Sequence, residues 1–371
     1  MKEGKKPQFL ILIELVLIIS LNFPIRIVKP TIATPPLSGR SGHILVLDTE
    51  SRQIFLFGGH DGENFLDDTW FYDFTNKIWT RKNPQLKPSA RWTHAMAYDS
   101  FNKKVILFGG YNESGYLDDT WAYDMATNSW EEMKSESHPS PRHTHTMVYD
   151  SDSQKVVLFG GNSWGVQERD MWTYDYQSNH WEQIVPELFP PSKSIQAMSI
   201  DSDYRKIIIF GGFGQGGSIT DDTWVYDISN NTWEEKNPKF KPGARYGHTM
   251  VYDVNNKKTV LFGGSNNNQS MNDVWIYDLP SDNWTELNFI TRPEPRYLHS
   301  MVYFHESLCA FLFGGMKNDK IYLNDLWAFN TSTNTWIKLQ NGIDQNISGI
   351  NWIPALLAGI IFMTRMKKRK M

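Results

Sequence analysis

An Arg-x-x-His tetrad and a separate Asp recur along this chain in a fixed relation, and side chains of these types can do chemistry. The tetrads hold Arg40/His43, Arg91/His94, Arg142/His145, Arg245/His248 and Arg296/His299. The carboxylates are Asp68, Asp119, Asp170, Asp222, Asp273 and Asp325, each two residues before a Trp. Imidazole and carboxylate together can ligate a metal or move a proton. A catalytic group, however, is needed once, whereas a group needed in every unit holds each unit together. Arg and Asp can pair with each other and satisfy backbone groups at strand ends. These residues are therefore read as structure. One unit departs, with Lys193 and Gln196 where the others have Arg and His. The departure suggests that this unit contributes something particular, so both enter the set of candidate ligand-binding residues. His138, His143 and His145 also lie close together. Positions i and i+2 of a strand share a face, so two of them could hold zinc; the reading kept is one repeat His with incidental neighbours. No catalytic residue, metal or cofactor is assigned.

The elements that carry these residues follow from a period. A Gly-Gly pair begins at Gly58, Gly109, Gly160, Gly211, Gly263 and Gly314, in steps of 51, 51, 51, 52 and 51 residues. Each pair ends a short apolar run such as VILFGG or IIIFGG. A period near 50 residues points to a propeller or another repeat array. Within the second unit HAMAYD, KVILFGG, DTWAYD and SWEEM alternate with turn residues, which gives four antiparallel strands, named A to D. Strand C carries Trp70, Trp121, Trp172, Trp224, Trp275 and Trp327, and strand D carries Trp79, Trp130, Trp181, Trp233, Trp284 and Trp336. These twelve, with Trp92, Trp164 and Trp352, are all fifteen tryptophans. Aromatics of this size can bind neighbouring sheets face to face. The fold expected is an all-β, six-bladed propeller of four-stranded antiparallel blades over residues 31–340. The glycines are read sterically, because a phosphate loop would need a Lys-Ser/Thr and a following helix.

The glycine pair after an apolar strand, followed by Tyr-Asp ahead of a Trp (WAYDMATNSW, WVYDISNNTW, WIYDLPSDNW), resembles the kelch repeat, over about residues 40–340. The sixth unit departs, with Phe329 and Asn330 in place of Tyr-Asp. The resemblance implies a six-bladed propeller and, usually, a binding role. It also raises an alternative, because kelch-like propellers include a copper oxidase of galactose and a sialic-acid epimerase. The oxidase type needs a Cys crosslinked to a Tyr beside copper. The single cysteine, Cys309, lies inside a B strand, where it reads as a small core residue. No nucleophile motif and no carboxylate pair stand apart from the repeat, so a binder is expected rather than an enzyme.

Repetition separates frame from function. The A–B turns (DSFNKK, DSDSQK, DSDYRK) resemble one another, as do the C–D turns (DMATNS, DISNNT). Both sets lie on one face of the ring, since strand direction alternates. The B–C loops (HDGENFLDD, NSWGVQERD, FGQGGSITDD) and the D–A connections (PQLKPSA, ELFPPS) vary, and they share the other face. Variation on a constant frame is how scaffolds carry recognition. The residue after each strand-A Arg should stand at the channel mouth on that face. The candidate site is therefore Trp92, His143, Tyr246 and Tyr297 with Lys193 and Gln196, a patch suited to a protein or glycan.

A net charge of -4 marks no nucleic-acid surface. Both ends read as membrane-directed. Lys2, Lys5 and Lys6 precede the apolar stretch Phe9–Phe23, so residues 1–30 resemble a signal peptide or N-terminal anchor. After a linker at 341–349, the mostly apolar Ile350–Thr364 runs into Arg365, Lys367, Lys368, Arg369 and Lys370, so residues 350–371 read as a hydrophobic anchor or sorting tail. Positive flanks stay inside, which places the repeats outside the cytoplasm, membrane-anchored or secreted, with a partner at the cell surface. Six Asn-x-Ser/Thr triplets, starting at Asn112, Asn230, Asn268, Asn283, Asn330 and Asn346, agree with that location.

Overall fold

The computed structural model describes residues 37–267 and 269–339. The proposed terminal segments and linker (1–30, 341–349 and 350–371) lie outside these residues. Among the described residues no helix is long and apolar enough to cross a membrane.

Six four-stranded antiparallel sheets form, each from four strands consecutive in sequence. In blade one they are A (Ile44–Asp48), B (Gln53–Phe57), C (Thr69–Asp73) and D (Ile78–Lys82). The A strands of the other blades are Ala95–Asp99, Thr146–Asp150, Ala197–Asp201, Thr249–Asp253 and Ser300–Phe304. All six A strands line one central channel of about 520 Å³. The first A strand packs against the sixth as each of the others packs against its neighbour, so the ring closes.

The tight hairpins are written in the repeat. At the end of strand A, the Asp99 carboxylate accepts the N–H groups of Phe101 and Asn102. At the end of strand C, Asp73 does the same for Thr75 and Asn76. These Asx turns fix the register. In blades two to five the Tyr of Tyr-Asp then reaches across its hairpin: the Tyr226 hydroxyl donates to Asn231 at 2.7 Å and that of Tyr174 to Asn179 at 2.9 Å.

Aromatic rings join the blades. Each strand-D Trp packs on the last Phe of strand B in the preceding blade, with centroids 5.0–5.2 Å apart: Trp130 on Phe57, Trp181 on Phe108, Trp233 on Phe159, Trp284 on Phe210 and Trp336 on Phe262. Trp79 on Phe313 (5.2 Å) closes the seam between the first and last blades. The repeat histidines lie edge-on to the same phenylalanines, as in His94 on Phe57 and His145 on Phe108. Burying such rings is the main apolar gain of the fold. Cys309 is a buried strand-B residue whose thiol is pushed up to about 11 by burial.

Candidate functional site

The residues that looked reactive belong to the frame. Arg40 is fully buried and forks onto Asp68, with N–O distances of 2.6 and 2.9 Å, while also donating to the Gly58 carbonyl. Asp68 in turn accepts the Trp70 indole N–H. The same circuit recurs at Arg91/Asp119, Arg142/Asp170, Arg245/Asp273 and Arg296/Asp325. Burial alone would raise the Asp68 carboxyl; the Arg40 guanidinium and the Trp70 indole outweigh it and hold the group below its usual range. The repeat histidines are fully enclosed. Burial, with the nearby Arg charge, pulls His43 and His248 down to about 3.

Lys193 and Gln196 occupy this frame and not the mouth, which corrects the expectation for both. The Lys193 ammonium is enclosed and sits on Asp222 at 2.5 Å and on the Thr220 hydroxyl at 2.9 Å, so a lysine fills the arginine slot of blade four. Gln196 is buried, and its amide reaches the Phe159 carbonyl at 3.2 Å. His145 makes the equivalent contact to the Phe108 carbonyl at 3.1 Å. The three clustered histidines are dispersed likewise: His145 enters a blade interface, His143 stands at the mouth, and the exposed His138 lies 4.0 Å from Asp118. Among the described residues no group of His, Cys, Asp and Glu is arranged to hold a metal.

The mouth is built in two layers. The lower one is a closed circle of six peptide groups. Thr93 N–H donates to the Gly42 carbonyl, Thr144 to Thr93, Ile195 to Thr144, Gly247 to Ile195, Leu298 to Gly247 and Gly42 to Leu298, at 2.8–3.0 Å. All six residues hold φ between 51 and 65°, a conformation that costs a β-branched residue most. The upper layer holds the residue after each strand-A Arg, bridged to the residue after each glycine pair: Ser41 to His60, Trp92 to Tyr111, His143 to Asn162, Ser194 to Phe213, Tyr246 to Ser265 and Tyr297 to Met316. The glycines make this approach possible. A Cβ on Gly59 would lie 2.9 Å from the Ser41 carbonyl and 3.0 Å from the His43 Cβ, at φ +102°.

Four of the six predicted residues meet in this upper layer. Each leans toward the preceding blade. The Trp92 indole covers Gly42, where a Cβ would come within 2.1 Å of it, and His143 Nδ1 lies 3.1 Å from the Thr93 hydroxyl. Tyr246 and Tyr297 meet edge to face at 5.8 Å. Burial pulls the His143 imidazole down to about 4. Around them stand aromatics that the sequence reading did not select. Tyr111 lies 5.7 Å and Tyr116 5.2 Å from His143, Phe213 lies 4.4 Å from Tyr246, and Tyr322 lies 5.9 Å from His60. Trp164 packs at 4.8 Å on Tyr116. The signal for Trp164 was present, since it is one of three tryptophans outside the repeat pattern.

The sequence matches the KLHDC2/KLHL20/DRC7 Kelch-repeats domain over residues 25–212 and 195–349, which spans the whole ring. The chain is a kelch-repeat protein. Among similar kelch relatives is the leucine-zipper-like transcriptional regulator 1 homolog of Drosophila melanogaster, 27% identical over 317 residues, covering 79% of this chain and 31% of that protein. Mei4-dependent protein 6 of Schizosaccharomyces pombe is 22% identical over 340 residues, covering 79% of this chain and 48% of the relative. An F-box/kelch-repeat protein of Arabidopsis thaliana is 26% identical over 306 residues, covering 71% and 63%. The kelch chain thus spans less than two thirds of these relatives' own length. Two of these names describe a transcriptional regulator and an F-box protein.

Proposed function

We propose that this kelch ring is a protein-interaction module that takes its partner on the B–C/D–A face, over the channel mouth. One observation carries the reading: the distribution of exposed apolar side chains. Of twelve large apolar side chains exposed among the described residues, eight lie on this face, including Leu86, Leu188, Phe240 and Ile290 in the D–A connections and Trp164 and Val166 in a B–C loop. Only Ile78, Phe101, Tyr204 and Val254 lie on the other face. Exposed apolar groups concentrated on one face supply the material of an interaction surface. The Arg, Asp and His sets are committed to the frame, which supports binding over catalysis.

Affinity capture with the full chain from the source cell, beside a Phe240→Asp/Tyr246→Ala variant, tests the reading. The variant should lose the partner while circular dichroism shows that it still folds. Equal capture by both would refute it. The same collar of ring faces could stack on a sugar, and binding to a glycan array that is lost in the Trp92→Ala variant would favour that reading. The reading places the ring outside the cytoplasm, tethered or released, on the strength of the basic–apolar pattern of both ends. Protease treatment of intact cells checks this: cleavage of the ring without lysis supports it, and full protection opposes it.

A further inference from the structure

The mouth is not uniform around its circumference, and the asymmetry gives the partner a charge. The B–C loops of blades four and five carry Gly, Gln, Ser and Asn at their tips. Those of blades one to three carry Asp61, Glu63, Glu113 and Glu168 against one cation, Arg169, which lies over the Phe189 ring, and among the described residues no ion pair holds any of the four carboxylates. Two further carboxylates of these loops do have basic side chains beside them: Lys87 lies 2.8 Å from Asp67 and the His138 imidazole lies 4.0 Å from Asp118. Glu168 is half-buried. Burial, with the Asp170 charge, pushes its carboxyl up against the opposing pull of the Arg142 charge.

The same sector carries the loop aromatics Phe65, Tyr111, Tyr116 and Trp164. Asn162–Ser163 and Val166–Gln167 form a small hairpin over blade three, with Trp164 and Gly165 at its tip. Both tip residues have positive φ, +50° for Trp164 and +86° for Gly165, the geometry of a two-residue type I′ turn. Asn or Gly relieves that strain and Trp does not. Even so the indole is 67% exposed, and Val166 beside it is 62% exposed. The ring is held at a definite place. It lies 4.8 Å from Tyr116 at 42°, and a Cβ on Gly115, two residues from Glu113, would sit 3.8 Å from its edge. The Asn162 carboxamide braces the assembly by accepting from the Tyr116 hydroxyl and the Gly165 N–H.

The geometry points to a basic peptide segment of a protein partner as the occupant of this sector, with an arginine or lysine side chain seated on Trp164 and Tyr116 between Glu113 and Glu168. Aromatic faces attract such a cation, most strongly on Trp, and the guanidinium also stacks flat on the ring. The carboxylates supply opposite charge and the preference for basic over acidic partners. This inference rests on the interaction reading above and narrows it to one class of partner.

Selection of a random twelve-residue peptide display library on the immobilised full chain tests it. Selected peptides should be enriched in Arg and Lys at least fivefold over the library and depleted in Asp and Glu. Selection on Trp164→Ala and on Glu113→Gln/Glu168→Gln should abolish that enrichment, and a selected peptide should bind either variant at least tenfold more weakly. Its citrulline counterpart should bind the native chain as weakly. Trp164 and Glu113 are exposed and Glu168 is half-buried in a loop, and circular dichroism should confirm that both variants fold. Peptides without basic bias, or basic peptides indifferent to both variants, would overturn the proposal. If such peptides were lost instead on Phe240→Asp/Tyr246→Ala, the loop-face reading would stand and only its cationic refinement would fall.

Discussion

The two faces of this ring are made from the same six hairpin pairs and yet differ in kind. On the short-turn face, side chains tie one blade to the next. Lys103 pairs with Glu50 at 2.6 Å, Arg205 with Asp150 at 3.0 Å, Lys257 with Asp203 at 3.2 Å, and Arg52 with Glu306 across the seam. On the loop face the backbone bridges still repeat one residue beyond the glycine pairs, but there every blade carries a different side chain: His60, Tyr111, Asn162, Phe213, Ser265 and Met316. The difference teaches where selection for shape ends: one residue beyond each glycine pair, the frame no longer needs a particular side chain.

That comparison can be broken from its common core outward. The largest effect should come from acid. His43, His94, His145, His248 and His299 are buried and held neutral, with pKa values below their unfolded value near 6.5. The unfolded chain therefore binds more protons as pH falls below 6.5. Stability should be lost from there down, by about 2 kcal/mol per imidazole at pH 5, with the loss beginning above the range where carboxylates titrate. Thermal melts between pH 7.5 and 4.5 check this, and a Tm that is flat down to pH 4.5 would contradict the buried-neutral assignment. Next, Trp181→Ala should cost about 3–5 kcal/mol in urea melts and unfold both faces together, because the indole is shared by two blades. A loss confined to one face would show that the blades do not act as one frame.

Smaller effects should separate the faces. Arg52→Ala removes a half-exposed pair from the short-turn face and should cost about 1 kcal/mol or less, with partner capture unchanged; reduced capture would move the binding surface. Lys193→Arg restores the repeat residue in blade four and should stabilise by about 1 kcal/mol through a forked contact to Asp222, again with capture unchanged. A loss of capture there would return Lys193 to the site.

The sequence carried the frame because each element of it is repeated six times. Glycine pairs, strand tryptophans and the Arg–Asp relation were legible as strand ends, glue and pairing, and all three are found so. Lys193 and Gln196 misled because a substitution inside a repeat resembles a new purpose, whereas both side chains can reach the atoms their predecessors reached. The positive-φ circle was invisible, since Thr, Ile and Leu hold four of its six positions and none of them announces that conformation. The collar was half legible. The position after each Arg was found by counting, but Tyr111, Tyr116 and Phe213 come from loops whose approach depends on the bridges across the glycine pairs.

The circle of peptides has a consequence for what this propeller can recognise. Six main-chain amides gathered around a pore would ordinarily make a cradle for phosphate or carboxylate. Here every N–H already faces a neighbour's carbonyl, and all six point the same way round, so their dipoles chase one another and cancel across the opening. The backbone rim is electrically mute, and whatever discrimination the mouth achieves must be voiced by the side chains above it.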